Sequence, residues 1–201
     1  MSSAGLGGPE SPFPEPGRAD VLATRVVMNG LLGPLYGRYV DQMGLRGDER
    51  VLDYGAGCGA AARHLVRRLD AAGRLTCMDV SLRWQAVLRK VLRAWPEVEY
   101  RLGDVRTMEL PEGSFDVVLV HWMLHDVAPA DRPSIVAELA RLLRPRGRLF
   151  TREPTASKHG IAAAEVRALL AEAGLVETLG TEGRAPVIGA YYRAVWTRPT
   201  A

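Results

Sequence analysis

The sequence is short of the residues that hold together extracellular and metal-bound folds. It has two cysteines, Cys58 and Cys77. That is too few for a disulfide framework, and neither has a metal-ligand companion nearby in the chain. Lysine is almost absent: Lys90 and Lys158 are the only two among 26 Lys and Arg. The formal charge is just +3, and the charges are scattered rather than blocked. No dedicated nucleic-acid surface is therefore expected. Long apolar runs are missing too. The longest, around Val117 to Leu124, is interrupted by His121 and is too short to span a bilayer. Contact with a membrane surface stays open, as does the oligomeric state. No charged-then-apolar leader pattern is read at the start, and a cytoplasmic protein is expected.

What is present is an ordinary globular composition, 47% hydrophobic and 24% charged over 201 residues, enough for one domain with a sizeable core. Residues 1–17, MSSAGLGGPESPFPEPG, read as a disordered tail. Residues 18–43 turn helical, with Gly30, Gly33 and Pro34 breaking them into two pieces, the second carrying Tyr36, Arg38 and Tyr39. Residues 18–46 are expected to form lid helices over a domain spanning 47–201.

After Gly47 the pattern alternates. Strands are expected at 50–54, 73–80, 98–104, 115–121 and 148–153. Helices are expected at 60–72, 82–95, 131–144 and 161–174, and two closing strands near 175–181 and 190–197. Such alternation implies right-handed βαβ units and a sheet covered on both faces. The apolar run Val117–Val120 suits a central strand buried on both sides. A short link between the last two strands makes a hairpin, so the final strand is expected to run antiparallel. The expected fold is α/β: a Rossmann-like, doubly wound, seven-stranded, mostly parallel sheet.

The stretch Val51–Gly59, VLDYGAGCG, places Gly55, Gly57 and Gly59 at the carboxyl end of the first strand. In a doubly wound sheet that edge is where ligands bind, and the helix that follows turns its free N–H groups toward the same turn. The spacing G-x-G-x-G, with Ala60 next, differs from the G-x-G-x-x-G of dinucleotide binders and is a weak discriminator alone. Asp79 ends the second strand in TCMDVS, where a carboxylate can accept ribose hydroxyls. That position equally suits a nicotinamide cofactor, or a carboxylate capping the helix at Ser81. Asp104, in GDVRTMELP, ends the third strand in the same manner or serves a turn.

Three strand-end acids (Asp53, Asp79, Asp104) and the closing hairpin resemble the class I S-adenosylmethionine-dependent methyltransferases over roughly residues 47–197. VLDYGAGCG is similar to that family's first motif, MDVS to its ribose motif, and GDVRTMELPEGSFDVVLVHWMLHDV to its adenine and post-strand-four motifs. ELARLLRPRGRLFTREP resembles the approach to strand five, with RPRG in place of the usual Pro-Gly-Gly and Gly147 expected at positive φ. The nearest subgroup is the ubiquinone/menaquinone-biosynthesis type. The resemblance implies S-adenosyl-L-methionine as cofactor, with Tyr36, Asp53, Gly55, Ala56, Gly57, Gly59, Asp79, Val80, Asp104, Val105 and His121 around it. It also implies a small-molecule acceptor: a quinol, a lipid or a secondary metabolite.

Candidates for chemistry cluster in HWMLHD. His121 directly follows the fourth strand and is placed at the reacting end, as a base or an orienting group. His125 falls four residues on, sharing a helix face with His121 if the turn is helical, and reads more as a structural residue. No metal site is expected, because the H-E-x-x-H glutamate is absent. Cys58 has the position of a reactive thiol or simply of a small turn residue. Trp122, Tyr36 and Tyr39 either wall an acceptor pocket or pack in the core. Two other readings stay open: a cofactor-binding protein without catalysis on the same fold, and a nicotinamide-dependent oxidoreductase.

Overall fold

Seven strands run in the order β3-β2-β1-β4-β5-β7-β6 in the computed structural model, which describes residues 15–156, 160–185 and 189–200. The strands are β1 Arg50–Tyr54, β2 Arg74–Asp79, β3 Glu99–Leu102, β4 Phe115–His121, β5 Leu143–Pro154, β6 Val176–Ala185 and β7 Gly189–Thr197. The pairs from β3 through to β5 are parallel, while β7 runs antiparallel to both β5 and β6. The hairpin expectation therefore holds, and so does the doubly wound, mostly parallel sheet. Strand order reverses between β1 and β4, which opens a crevice beyond their carboxyl ends.

The helices are α1 Arg18–Arg25, α2 Gly33–Asp41, α3 Ala62–Leu65, α4 Leu82–Val91, α5 Arg132–Leu142 and α6 Ala163–Glu172. Strand alternation divides the core in two. Leu52, Val118, Val120 and Leu149 face α5 and α6 through Ile135, Val136, Leu139, Val166 and Leu170. Val51, Leu75, Val117 and Leu119 face the other way, against Val40, Leu65, Leu88 and Leu92. Residues Val117 to Val120 are at most 2% exposed, as a central strand covered on both faces requires.

Several boundaries move for local reasons. The expected helix over 60–72 shrinks to α3 and one tight turn, Val66–Arg68. There the Asp70 carboxylate accepts from Ala72 N (2.7 Å), and Asp70 N donates to Gly47 O (2.9 Å), so Asp-Ala-Ala-Gly becomes a turn. Strand five starts five residues early, and the positive φ expected at Gly147 falls on Arg146 (φ 65°) instead. Gly147 is required for another reason: a Cβ there would lie 2.8 Å from Arg144 O and 3.2 Å from Asp116 O. At the N-terminus, α1 runs into a wider turn over Val26–Leu31 that includes Gly30, and the break before α2 falls at Leu32. Of the expected tail, residues 1–14 lie outside the described residues.

Candidate active site

The turn after β1 is held by Gly55 N and Ala56 N, which both donate to Met78 O (2.9 and 3.1 Å). Gly55 sits at φ 72°, and a Cβ there would lie 2.2 Å from Met123 Cγ, so both backbone and space demand glycine. Gly57, at φ 50°, has no atom nearer than 3.9 Å to where its Cβ would be. Its bare backbone faces open space. Gly59 acts differently, letting α4 approach, since its Cβ would fall 2.9 Å from Leu88 Cδ1.

Asp79, at the end of β2, is 8% exposed and accepts from Gly57 N (2.8 Å) and Ser81 N (2.9 Å). Burial raises its pKa, partly offset by those backbone donors. Capping of α4 belongs to Ser81, whose hydroxyl accepts from Trp84 N, and to Glu15, which accepts from Ser81 Oγ and Leu82 N (2.8 Å each). Asp53 is 2% exposed with Oδ2 unpartnered, and burial, then the nearby charge of Asp79, pushes its pKa up to about 7. Asp53, Asp79, Val80, Ser81 and Trp84 line a cavity of about 720 Å³. Asp104 and Val105 are not brought into it. Asp104 is held by the guanidinium of Arg106 (Nε to both carboxylate oxygens, 3.0 Å), which also grips Asp131, and Val105 is fully buried in the core.

The opposite wall comes from the segment after β4. His121 lines the cavity and is 8% exposed, its ring 4.9 Å from those of Tyr36 and Tyr39 and 5.4 Å from that of Trp122. Its Nε2 has no partner, and burial together with the Arg152 charge lowers its pKa well below the ordinary imidazole value. The chain then leaves helical geometry, with Trp122 at φ 55° and a short tight turn only at Leu124–Asp126. His121 and His125 therefore share no helix face, contrary to the conditional sequence reading.

His125 is anchored from β5 instead. Its Nδ1 lies 2.7 Å from Glu153 Oε2, and the fully buried Glu153 carboxylate also accepts from Met123 N (3.1 Å), Leu124 N (2.9 Å) and His125 N (3.3 Å). Burial lowers the His125 pKa, but the hydrogen bond and charge of Glu153 outweigh it, and the net shift is upward. Arg132 closes the turn by donating to Val127 O (3.0 Å) and His125 O (3.3 Å).

Thr24, Val27, Met28, Leu32 and Tyr36 from the N-terminal helices complete the cavity, and Asn29 Nδ2 ties them to the glycine turn through Cys58 O (2.9 Å). Cys58 is buried, which raises its thiol pKa and removes the reactive reading. Of the three aromatic candidates, Tyr36 and Trp122 line the cavity, whereas Tyr39 packs behind His121. Among the described residues no group of three or more His, Cys, Asp or Glu side chains converges as a metal site, and no helix is long and apolar enough to cross a membrane. Sequence reasoning missed Glu153, Arg152, Ser81 and Trp84. The carboxyl-edge rule applied to β5 as well as to β1 and β4 points to the first two.

Residues 52–151 match the family model described as a methyltransferase domain. A demethylmenaquinone methyltransferase from Beutenbergia cavernae is 32% identical over 114 residues, covering 57% of this chain and 44% of that protein. The N-methyltransferase NodS from Bradyrhizobium japonicum, solved in complex with S-adenosyl-L-homocysteine, superposes with a TM-score of 0.71. It is 18% identical, with 86% of this chain and 88% of that chain covered. The [4+2]-cyclase SpnF superposes at 0.69 with 17% identity, over 96% of this chain and 100% of that chain. The chain spans less than half the length of the first curated relatives it matches.

Proposed function

Because the chain belongs to the class I S-adenosylmethionine-dependent methyltransferases, we propose that its cavity binds S-adenosylmethionine and methylates a small-molecule acceptor there. One observation carries the reading: a bare glycine turn and the Asp79 carboxylate share one cavity with an aromatic and imidazole wall. The chain's residues fit the cofactor. Gly57 exposes backbone at positive φ with nothing over it, and Asp53 Oδ2 and His121 Nε2 are buried polar atoms without partners. A buried polar atom left unpartnered is unfavourable, so a polar ligand at these positions is favoured.

Asp79 and the backbone of Gly55 to Gly57 would hold the cofactor, Asp79 using carboxylate lone pairs beyond those engaged by Gly57 and Ser81. Gly59 serves through packing, and Tyr36 and Met28 cover the site from above. Bound S-adenosylmethionine supplies a methyl group on a positively charged sulfur, already activated for displacement. The protein aligns the acceptor and excludes water. His125 is the better base of the two imidazoles. Glu153 fixes its Nδ1 and raises its basicity, and its Nε2 lies 3.4 Å from the exposed Asp126 carboxylate, both residues lining the cavity. His121 stays neutral and orients the acceptor by a hydrogen bond.

The acceptor class we propose is the flat, partly apolar type to which quinols and aromatic secondary metabolites belong, supported by Tyr36 and Trp122 in the lining. The helices over 18–46 act as the cover, and the domain proper as 47–201. The cytoplasm is the proposed compartment, where two buried free thiols stay reduced. The test is incubation with S-adenosylmethionine and a panel of phenolic, quinol, amine and carboxylate acceptors, read by mass spectrometry. A product heavier by one methyl, formed with equimolar S-adenosylhomocysteine, supports the reading. Cofactor binding with no turnover across the panel supports a non-catalytic role instead.

A further inference from the structure

Arg152 lies at the carboxyl end of β5, paired in register with His121 of β4, and is nine-tenths buried. Its guanidinium carbon sits 4.4 Å from the ring centre of Tyr191 and 5.4 Å from those of Tyr39 and Trp122. The Nε is buried with no hydrogen-bond partner. Among the described residues no carboxylate pairs with it. The groups that act on it electrostatically are Tyr191, Tyr39, Tyr36 and another cation, Arg193, which itself donates to Gln42 Oε1 (2.6 Å). Glu153, the adjacent residue, is fully engaged with the 123–125 turn and His125.

Aromatic faces attract a cation, but they offer its N–H groups no directional acceptor. A guanidinium keeps its charge in such a place, and a buried charge without a counter-ion is unfavourable. The second orphan, His121 Nε2, belongs to the residue paired with Arg152 across the sheet, and its ring lines the cavity. Trp122 touches both the cavity and Arg152. It is a bulky residue at φ 55°, a conformation that concentrates at functional sites.

Arg152 does not itself line the cavity but stands behind Trp122, which does. We propose that Arg152 is the specificity-determining residue for an acceptor carrying a flat ionised oxygen group, a carboxylate or a phenolate, that reaches its guanidinium past His121 and Trp122. The inference rests on the methyltransferase reading. Guanidinium and carboxylate match as planar partners, and the ringed cage favours an acceptor whose charge is attached to an aromatic frame. The cofactor also carries a carboxylate, so the test separates the two sources.

Benzoate and its neutral isostere benzamide, and 4-nitrophenolate against 4-nitrotoluene, are titrated into the full chain by NMR, with and without S-adenosylhomocysteine. The expected result is an anion preference of about tenfold or more, lost in Arg152→Gln and partly kept in Arg152→Lys, with S-adenosylhomocysteine affinity changed less than about threefold by either. The two anion pairs report which oxygen acid is preferred. Equal binding of anion and isostere by the unsubstituted protein overturns the proposal, whether or not Arg152→Gln folds. So does a loss of S-adenosylhomocysteine affinity in Arg152→Gln with the anion preference intact, which assigns Arg152 to the cofactor. Failure of the wild type to bind S-adenosylhomocysteine at all counts against the methyltransferase reading, and the titrations without it still score Arg152.

Discussion

The two walls of the cavity are built on opposite plans. Along the β1–β2 edge the chain offers backbone and acid: Gly55 and Gly57 at positive φ, with Asp53 and Asp79 buried beside them. Along the β4–β5 edge it offers bulky and basic side chains, His121, Trp122 and His125, the last held by the buried Glu153. The first wall combines a turn of nine consecutive residues with the end of β2, whose Met78 O and Asp79 carboxylate accept from Gly55 N, Ala56 N and Gly57 N (the last pair separated by 22 residues). The second depends on a carboxylate nearly thirty residues away in sequence from the histidine it holds (a separation of 28). Under the proposed function, a general binding surface lies on one side and selective chemistry on the other. This division is what the proposed function predicts.

Glu153 is the largest lever on the second wall. Glu153→Leu leaves three backbone N–H groups and the His125 ring without their acceptor in a buried site. A loss of about 3–5 kcal/mol in unfolding free energy is expected by urea titration. A loss within the range of ordinary surface changes would mean that the two walls do not differ in this way.

The histidines divide the second wall further. If His125 is the base, kcat falls as pH drops through its folded pKa, which lies above the ordinary imidazole value of about 6.5. The charged groups facing it are Glu153, Asp126 and Arg132. His125→Asn should remove that limb of the profile and lower kcat about 100-fold. His121→Asn should leave the limb in place, because the buried His121 is already neutral well below pH 6.5. Of the two roles the sequence leaves open for His121, base or orienting group, the second is the one this account keeps. A limb that disappears in His121→Asn and survives in His125→Asn would reverse the assignment.

On the first wall the expected effect is smaller. Asp53 is held at about 7, against about 3.9 in an unfolded chain. The folded state is then the stronger proton binder. Its stabilising contribution is present below about pH 3.9 and is lost as pH rises through about 7. Asp53→Asn should accordingly raise Tm at pH 8 by at least ~2 °C and give a shrinking advantage as pH approaches 4. A constant difference across that range would show that Asp53 does not titrate as buried.

What was legible in the sequence follows the same division. The strand–helix alternation, the terminal hairpin and the glycine turn depend on periodicity and local chemistry, and VLDYGAGCG and MDVS carried the ligand edge of β1 and β2. The site at Glu153 was not legible, because RLFTREP shows only an alternating strand, and its meaning lies in β5 reaching the turn after β4. The same holds for Arg152, whose aromatic neighbours come from α2, the β4 turn and β7. Trp122 at positive φ ran against the helical continuation that spaced histidines suggest, because Met123 to His125 donate to Glu153 rather than to a preceding turn of helix. Asp104 met a local competitor, Arg106 two residues on, that sequence order alone does not reveal as its partner.

The central claim is that the acid-and-glycine wall is a S-adenosylmethionine site with Asp79 as its side-chain anchor. Calorimetric titration of S-adenosylhomocysteine into the wild type, Asp79→Ala and Asp104→Ala tests it most directly. The account predicts a single site, weakened by about 1.5–3 kcal/mol in Asp79→Ala and by less than that in Asp104→Ala, whose carboxylate is engaged by Arg106. No binding to the wild type, or equal affinity in the wild type and Asp79→Ala, would contradict it.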